Sequence, residues 1–249
     1  MLVAALVCLM SQPISVDPKR LRTTVEKLAS YHTRHTLTTG LTEAAEWVAS
    51  QYNAIPGVSA EVMTYTIPKG RRVPEDKQVV EVVATLKGET DRVVLVGGHL
   101  DSINMKEEGF EVRAPGANDD GSGVALALEC ARVLAGTKPR NTIKFVAFSG
   151  EEQGLNGSRA LSKKAKDEGW KLEAVLSNDM VGNSSNNNGQ KDDRNVRVFS
   201  EETTPENPNW QSRELARFIE FATRGKVPKF GIKLVMRRDR FGRGGDHTP

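Results

Sequence analysis

Hydrophobic and polar positions alternate along this chain between two periods, and the switch between them predicts its elements. Val93-Val94-Leu95-Val96 is apolar throughout, as is most of Thr142–Phe148 (TIKFVAF) and the shorter Ala174–Leu176. Continuous apolar runs of this length read as strands buried on both faces. Val58–Ile67 alternates in strand fashion, and Val79–Leu86, Arg92–Val96, Val196–Ser200 and Ile232–Met236 complete the strand set. Between them lie stretches with helical spacing. Asp17-Pro18 caps and opens a helix with Leu21, Val25 and Leu28 on one stripe, running to about Tyr31. Thr42 is the expected cap of a second helix, with Ala44, Ala45, Trp47, Val48 and Tyr52 inward. Further helices are expected from about Gly123 to Ala135, from about Gly157 to Asp167 and over Asn209–Thr223, the last with Leu215, Phe218, Ile219 and Ala222 inward. The polar stretches 32–41, 68–78 and 182–194 read as loops. Strands alternating with helices predict an α/β fold: a mixed, mostly parallel central sheet with helices on both faces.

Composition narrows this picture. At 249 residues, with no internal repeat and no linker, residues 17–249 read as one domain with room for a sizeable core. Hydrophobic content of 38% and charged content of 27% are those of an ordinary globular protein. The net charge of +3 is small and the basic residues are scattered, so nucleic-acid binding has no support. Two cysteines, Cys8 and Cys130, rule out a disulfide framework, and any metal must therefore be held by histidines and carboxylates. Residues 1–16 form a separate apolar segment. Its first ten residues, MLVAALVCLM, are too short to span a membrane and resemble the hydrophobic part of a signal peptide. A secreted or periplasmic location is the expectation, with a packed segment of a cytoplasmic protein as the alternative. No later run approaches the length of a membrane span.

Ligand-type residues recur where strands end and helices begin. His99 and Asp101 follow the run at 93–96; Asp119 lies in Asn118-Asp119-Asp120-Gly121-Ser122-Gly123; Glu151-Glu152 follows Phe148; Asp179 follows Leu176; and His247 lies near the end. Singly, each has an ordinary structural reading: a hydrogen-bonded histidine, a helix N-cap at Asp119, a solvated acidic pair, a turn aspartate. Jointly those readings weaken. Strand carboxyl ends in one sheet converge on one rim. Several carboxylates on one rim repel one another unless a cation neutralises them. His32 and His35, in a polar stretch before a helix, read as surface or capping residues.

The motifs GGHLDS at 97–102, PGANDDGSGVA at 115–125, FSGEEQGLNGS at 148–158, SNDMVG at 177–182 and GGDHTP at 244–249 resemble, in order, those of the co-catalytic zinc aminopeptidase family. That family includes bacterial leucyl aminopeptidases and glutamate carboxypeptidase II. The stretch at 18–53 also resembles its opening helices. The resemblance implies two zinc ions per chain and peptide substrates. Asp119 would bridge the ions, His99 and Asp179 would complete one, and Glu152 and His247 the other. Glu151 would be the general base, and Asp101 would accept from the second ring nitrogen of His99 and fix its tautomer. The resemblance also implies a cis Asp119–Asp120 peptide. Some family members hold the oxyanion with a tyrosine hydroxyl. Here Tyr31, Tyr52 and Tyr65 all lie far upstream of the motifs, and Arg243 is the substitute candidate. The chain stops two residues after His247, where family domains continue, so a closing strand and helix are expected to be missing. The reading is a metallo-exopeptidase, an aminopeptidase before a carboxypeptidase or amidohydrolase. A one-metal glutaminyl-cyclase-like enzyme and a non-enzymatic binding domain are the remaining alternatives. Side-chain specificity and oligomeric state are not set by the sequence.

Overall fold

The computed structural model describes residues 15–249 except 71, 187, 201–209 and 238–243. Cys8, most of the apolar 1–16 segment and Arg243 therefore lie outside the described residues. The chain opens with α1 (Pro18–Ser30), whose cap Asp17 accepts the Lys19 N–H at 2.8 Å with proline at the first helical position. Helix α2 (Thr39–Asn53) begins earlier than Thr42, with Thr38 as its cap residue. The Thr38 hydroxyl bonds back to the His35 carbonyl at 2.8 Å, so the polar turn itself starts the helix. Strands β1 (Val58–Ile67), β2 (Lys77–Leu86) and β3 (Thr90–His99) follow, then α3 (Gly121–Leu134), β4 (Asn141–Phe148), α4 (Asn156–Asp167) and β5 (Lys171–Ser177). Last come β6 (Asn195–Phe199), α5 (Trp210–Thr223) and β7 (Gly231–Val235).

The main sheet has the order β1-β2-β4-β3-β5. β3 pairs in parallel with both β4 and β5, whereas β2 is antiparallel to both its neighbours. β2 alone therefore opposes the other four strands, and the expected mixed α/β sheet is present. After β3 the chain crosses through α3 to β4 on one side, then returns through α4 to β5 on the other. That reversal makes the carboxyl end of β3 the switch point, where open α/β sheets hold their ligands.

Two apolar layers fix this arrangement. On one face Leu41, Ala44, Val48 and Tyr52 of α2 and Val124, Leu128 and Ala131 of α3 pack on Val82, Val96 and Phe145. On the other, Leu161 of α4 packs on Val83, Leu95, Val146 and Phe148. β3 and β4 are thus covered on both sides, which is why their sequences are nearly all apolar. β6 and β7 form a separate parallel pair. Here the expectation for α5 is corrected: among its described residues Ala216 alone is buried, and Phe218 is 39% exposed. A two-stranded sheet is too narrow to cover the whole apolar stripe of a 14-residue helix. No helix among the described residues is long and apolar enough to cross a membrane.

Candidate metal centre

His99 is the last residue of β3, and its side chain is buried. Its Nε2 lies 2.9 Å from Asp119 Oδ1 and 3.9 Å from Asp179 Oδ1. His99, Asp119 and Asp179 thus offer three ligand atoms within 4.8 Å of one another. His99, Glu151 and Glu152 offer a second such set. The two groupings share an imidazole and draw on four segments: the end of β3, the loop before α3, the turn after β4 and the residues after β5. His247 joins neither grouping. It adjoins Asp246, which is buried and whose carboxyl feels the charges of His99, Asp101 and Asp179, so the 246–247 segment reaches the same neighbourhood.

Two aspartates hold these segments in register. Asp120, fully buried, accepts the N–H groups of His99 (3.0 Å), Gly123 (2.9 Å) and Met180 (3.1 Å). It is also the true N-cap of α3, a role the sequence pattern offered to its neighbour Asp119. With Asp120 turned inward as the cap, Asp119 is left half-exposed and free to face His99. The Asp119–Asp120 peptide is cis, as the resemblance implied. The segments meet backbone to backbone at glycines. A Cβ on Gly98 would lie 2.7 Å from Asp120 Oδ2, and one on Gly123 would lie 2.1 Å from the Asn178 carbonyl oxygen.

Asp101 does more than orient His99. The Nδ1 of His99 is 3.0 Å from the Asp101 carbonyl oxygen and 3.6 Å from its Oδ1. A carbonyl oxygen only accepts, so Nδ1 carries a proton, and Nε2 is the nitrogen that faces Asp119 and Asp179 and would give its lone pair to a metal ion held there. The Asp101 carboxylate meanwhile accepts the N–H groups of Glu151 (3.2 Å) and Glu152 (3.1 Å). One buried residue therefore fixes a proton on His99 Nδ1 through its backbone carbonyl and the turn that carries both glutamates through its carboxylate.

The electrostatics fit a cation. Burial, followed by the neighbouring acids, pushes the Glu151 carboxyl up to about 7 and Glu152 up to about 8. Burial also raises Asp120 well above the ordinary range. His99 is held well above its usual value: burial lowers it, and the Asp101 and Asp119 carboxylates overcome that. This is the signature of acidic groups packed together with one imidazole to share charge. Imidazole nitrogen with carboxylate oxygens is a donor set that suits zinc.

The sequence reading missed Arg34. Its guanidinium is fully buried and donates to the carbonyls of Leu28, Leu100, Pro115 and Gly116 at 2.6–3.0 Å. It thereby ties the loop between His99 and Asp119 to the end of α1. The capping reading of His35 holds on one side: its Nδ1 accepts the Leu37 N–H at 3.2 Å. Its Nε2 faces the Gln153 amide at 3.3 Å, beside the glutamate turn. His32 is more peripheral, with its Nε2 3.2 Å from the Glu111 carbonyl. Tyr65 is not poised at the centre, because its hydroxyl donates to the Ser149 carbonyl at 2.8 Å.

Comparison with known proteins agrees with this geometry. A protein of Pyricularia oryzae described as "Probable zinc metalloprotease" is 38% identical over 93% of this chain, which spans 52% of that protein's length. Among solved structures, the LapA aminopeptidase of Legionella pneumophila superposes with a TM-score of 0.65 at 22% identity, covering 88% of this chain and 54% of that one. A glutaminyl cyclase from an Acidobacteriales bacterium superposes with a TM-score of 0.72 at 18% identity, covering 96% and 77%. At those identities the structures show the shared fold alone. The model of peptidase family M28 matches residues 81–222, the segment that carries His99, Asp119, Glu151, Glu152 and Asp179, and the chain belongs to that family.

Proposed function

We propose that the protein is a zinc-dependent aminopeptidase that uses two metal ions per chain. The observation that supports this most directly is the His99, Asp119 and Asp179 ligand set at the switch point of the sheet, with the Glu151-Glu152 pair brought against the same imidazole. His99, Asp119 and Asp179 would hold one ion. Glu152, with Asp119 and the neighbouring His247, would hold the second. Bound zinc supplies Lewis acidity toward a peptide carbonyl and acidifies a coordinated water. Glu151 takes a proton from solvent at the centre and delivers it to the leaving amine. Its raised affinity for a proton, about 7, suits a group that must both accept and return one near neutral pH. The Asp101 carboxylate keeps Glu151 and Glu152 on one turn, where Glu152 would hold metal and Glu151 would act as the base. The apolar run at the N-terminus supports action outside the cytoplasm, in a secreted or periplasmic setting.

The experiment measures zinc per chain and hydrolysis of aminoacyl p-nitroanilides by the wild type and by Glu151→Gln. The expected result is about two zinc ions, chelator-sensitive turnover, and a variant that keeps its zinc while kcat falls at least about 100-fold. Full activity in that variant would overturn the assignment of the base. One zinc ion, or cyclisation of N-terminal glutaminyl peptides without anilide cleavage, would overturn the aminopeptidase reading.

A further inference from the structure

A cleft of about 390 Å3 opens beside the glutamate turn, and the metal centre makes no use of it. Its floor is apolar, formed by Ile67 and Val73, which are 1% and 4% exposed. Its walls carry Lys69 and Arg72 from the β1–β2 connection and the amide side chains of Gln153 and Asn156 from the turn. None of the residues that line it is acidic. Lys69 gives its backbone N–H, not its ammonium, to Asp76, and Arg72 donates through Nη1 to the Glu152 carbonyl oxygen. Among the described residues neither cation is in an ion pair. The cleft thus presents two cationic groups over an apolar base, immediately after the glutamate proposed to hold metal, while the Asn156 amide is engaged by the Gly150 and Gln153 carbonyls and the Gln153 amide nitrogen by His35.

The position of the cleft assigns it to one side of the substrate. Glu151 returns its proton to the leaving amine, so the departing fragment lies on the Glu151 side of the scissile bond. The turn Glu151-Glu152-Gln153-Gly154 runs from that carboxylate directly into the cleft wall, closed by the Gly154 and Leu155 N–H groups on the Glu151 carbonyl at 2.8 and 3.0 Å. Gln153 is steadied from behind by His35. The Gln153 amide nitrogen lies 3.3 Å from the His35 Nε2, and the His35 ring is itself fixed by the Leu37 N–H on its Nδ1.

We propose that this cleft binds a carboxylate on the departing fragment, so that the enzyme favours dipeptides with a free C-terminus or peptides with an acidic residue just after the cleaved one. The inference rests on the aminopeptidase reading and adds the substrate class of the leaving side. Lys69 is the specificity-determining cation that can be altered cleanly, because Arg72 also holds the glutamate turn. The test uses the zinc-loaded full chain and four substrates sharing the N-terminal residue X best cleaved as an anilide: X-p-nitroanilide, X-Ala, X-Ala-amide and X-Glu-amide. Wild type is expected to show a KM for X-Ala or X-Glu-amide about three- to tenfold below that for X-Ala-amide, with kcat little changed. A lower KM for X-Ala identifies the terminal carboxylate as the source, and a lower KM for X-Glu-amide the acidic side chain. Lys69→Gln should abolish the preference and leave X-p-nitroanilide and X-Ala-amide within about twofold of wild type. Equal KM values for the three peptides in wild type would overturn the proposal while leaving aminopeptidase activity intact. So would a Lys69→Gln effect equal on acid and amide. Failure to cleave any of the four by a protein that holds zinc would instead overturn the aminopeptidase reading.

Discussion

Glu81 offers the sharpest test of the physical reasoning. It sits on β2 opposite Met63 of β1, with its side chain fully buried. The Ser149 N–H bears on its carboxyl, but neither oxygen has a well-aligned hydrogen bond among the described residues. Its Oε2 lies where a Cβ on Gly157, at the start of α4, would come within 2.4 Å. Burial raises the carboxyl from 4.5 to about 8, the Asp246 and Asp101 charges add to this, and the Ser149 N–H opposes it. The folded protein therefore keeps a proton on Glu81 at neutral pH, where the unfolded chain has lost it. Between pH 4.5 and about 8 the unfolded state binds fewer protons than the folded state, so stability falls as pH rises across that window.

The full span converts to about 5 kcal/mol at 1.36 kcal/mol per pH unit, an upper bound because buried sites relax. Referred to pH 5 and pH 7, the same relation places about 1 and about 3 kcal/mol of that cost on the folded state. Glu81→Gln keeps the shape, removes the ionisation and leaves the same number of unpaired polar atoms. Its melting temperature, measured calorimetrically beside wild type in saturating zinc, should exceed wild type by roughly 2–4 °C at pH 5 and by roughly 6–12 °C at pH 7. Zinc-linked titrations occur in both proteins and cancel in the comparison. An offset that stays constant from pH 5 to pH 8, or a variant that melts lower than wild type at pH 7, would refute the reasoning.

Three further substitutions probe the scaffold of the site. Asp120→Ala removes one acceptor from three N–H groups and should cost about 3–5 kcal/mol in urea unfolding and lower zinc content; full zinc occupancy would show that the three segments hold register without it. Arg34→Met leaves two buried and two partly buried carbonyls without their donor and should cost about 3 kcal/mol or more, and a loss under about 1 kcal/mol would mean that water replaces the guanidinium. Gly123→Ala should lower the melting temperature although alanine is favoured in a helix by about 1 kcal/mol, because its Cβ would sit 2.1 Å from the Asn178 oxygen; an unchanged or higher value would show that the loop yields.

What the sequence made legible follows from which interactions are local. The buried strands show as unbroken apolar runs because both faces of β3 and β4 are covered, and α1 shows its start because Asp17 and Pro18 cap it within three residues. His99, Asp119, Glu151, Glu152 and Asp179 show because they lie at or just after the ends of strands or just before a helix, whereas His247, well past β7, has no such marker. Arg34 stayed hidden because three of the carbonyls it serves lie 66, 81 and 82 residues away, and nothing in HTRHT marks one cation as buried. Glu81 stayed hidden because a lone glutamate in EVVAT at the strand period reads as a solvent-facing position. Asp119 and Asp120 are adjacent acids before one helix, and spacing does not say which of them turns inward to cap it. The exposed stripe of α5 looked like a core face because periodicity reports that a helix has an apolar side, not that something covers it.

The carboxylates that order the centre, Asp101 and Asp120, are not the ones proposed to hold metal. Asp101 joins the end of β3 to the turn after β4, and Asp120 joins β3 to α3 and to the segment after β5. Those hydrogen bonds do not require a cation. Chelation should therefore abolish peptidase activity without unfolding the sheet. The apo protein should keep its far-ultraviolet circular dichroism at 25 °C, melt lower than the holoprotein, and regain full activity on return of zinc. With free zinc at 1,000 times Kd, one bound ion adds about 4 kcal/mol, and a second, independent ion adds as much again. For a domain of this size the first increment alone corresponds to roughly 8–16 °C. An apo protein that is unfolded at 25 °C would show that the metal, and not Asp101 and Asp120, holds the four segments together.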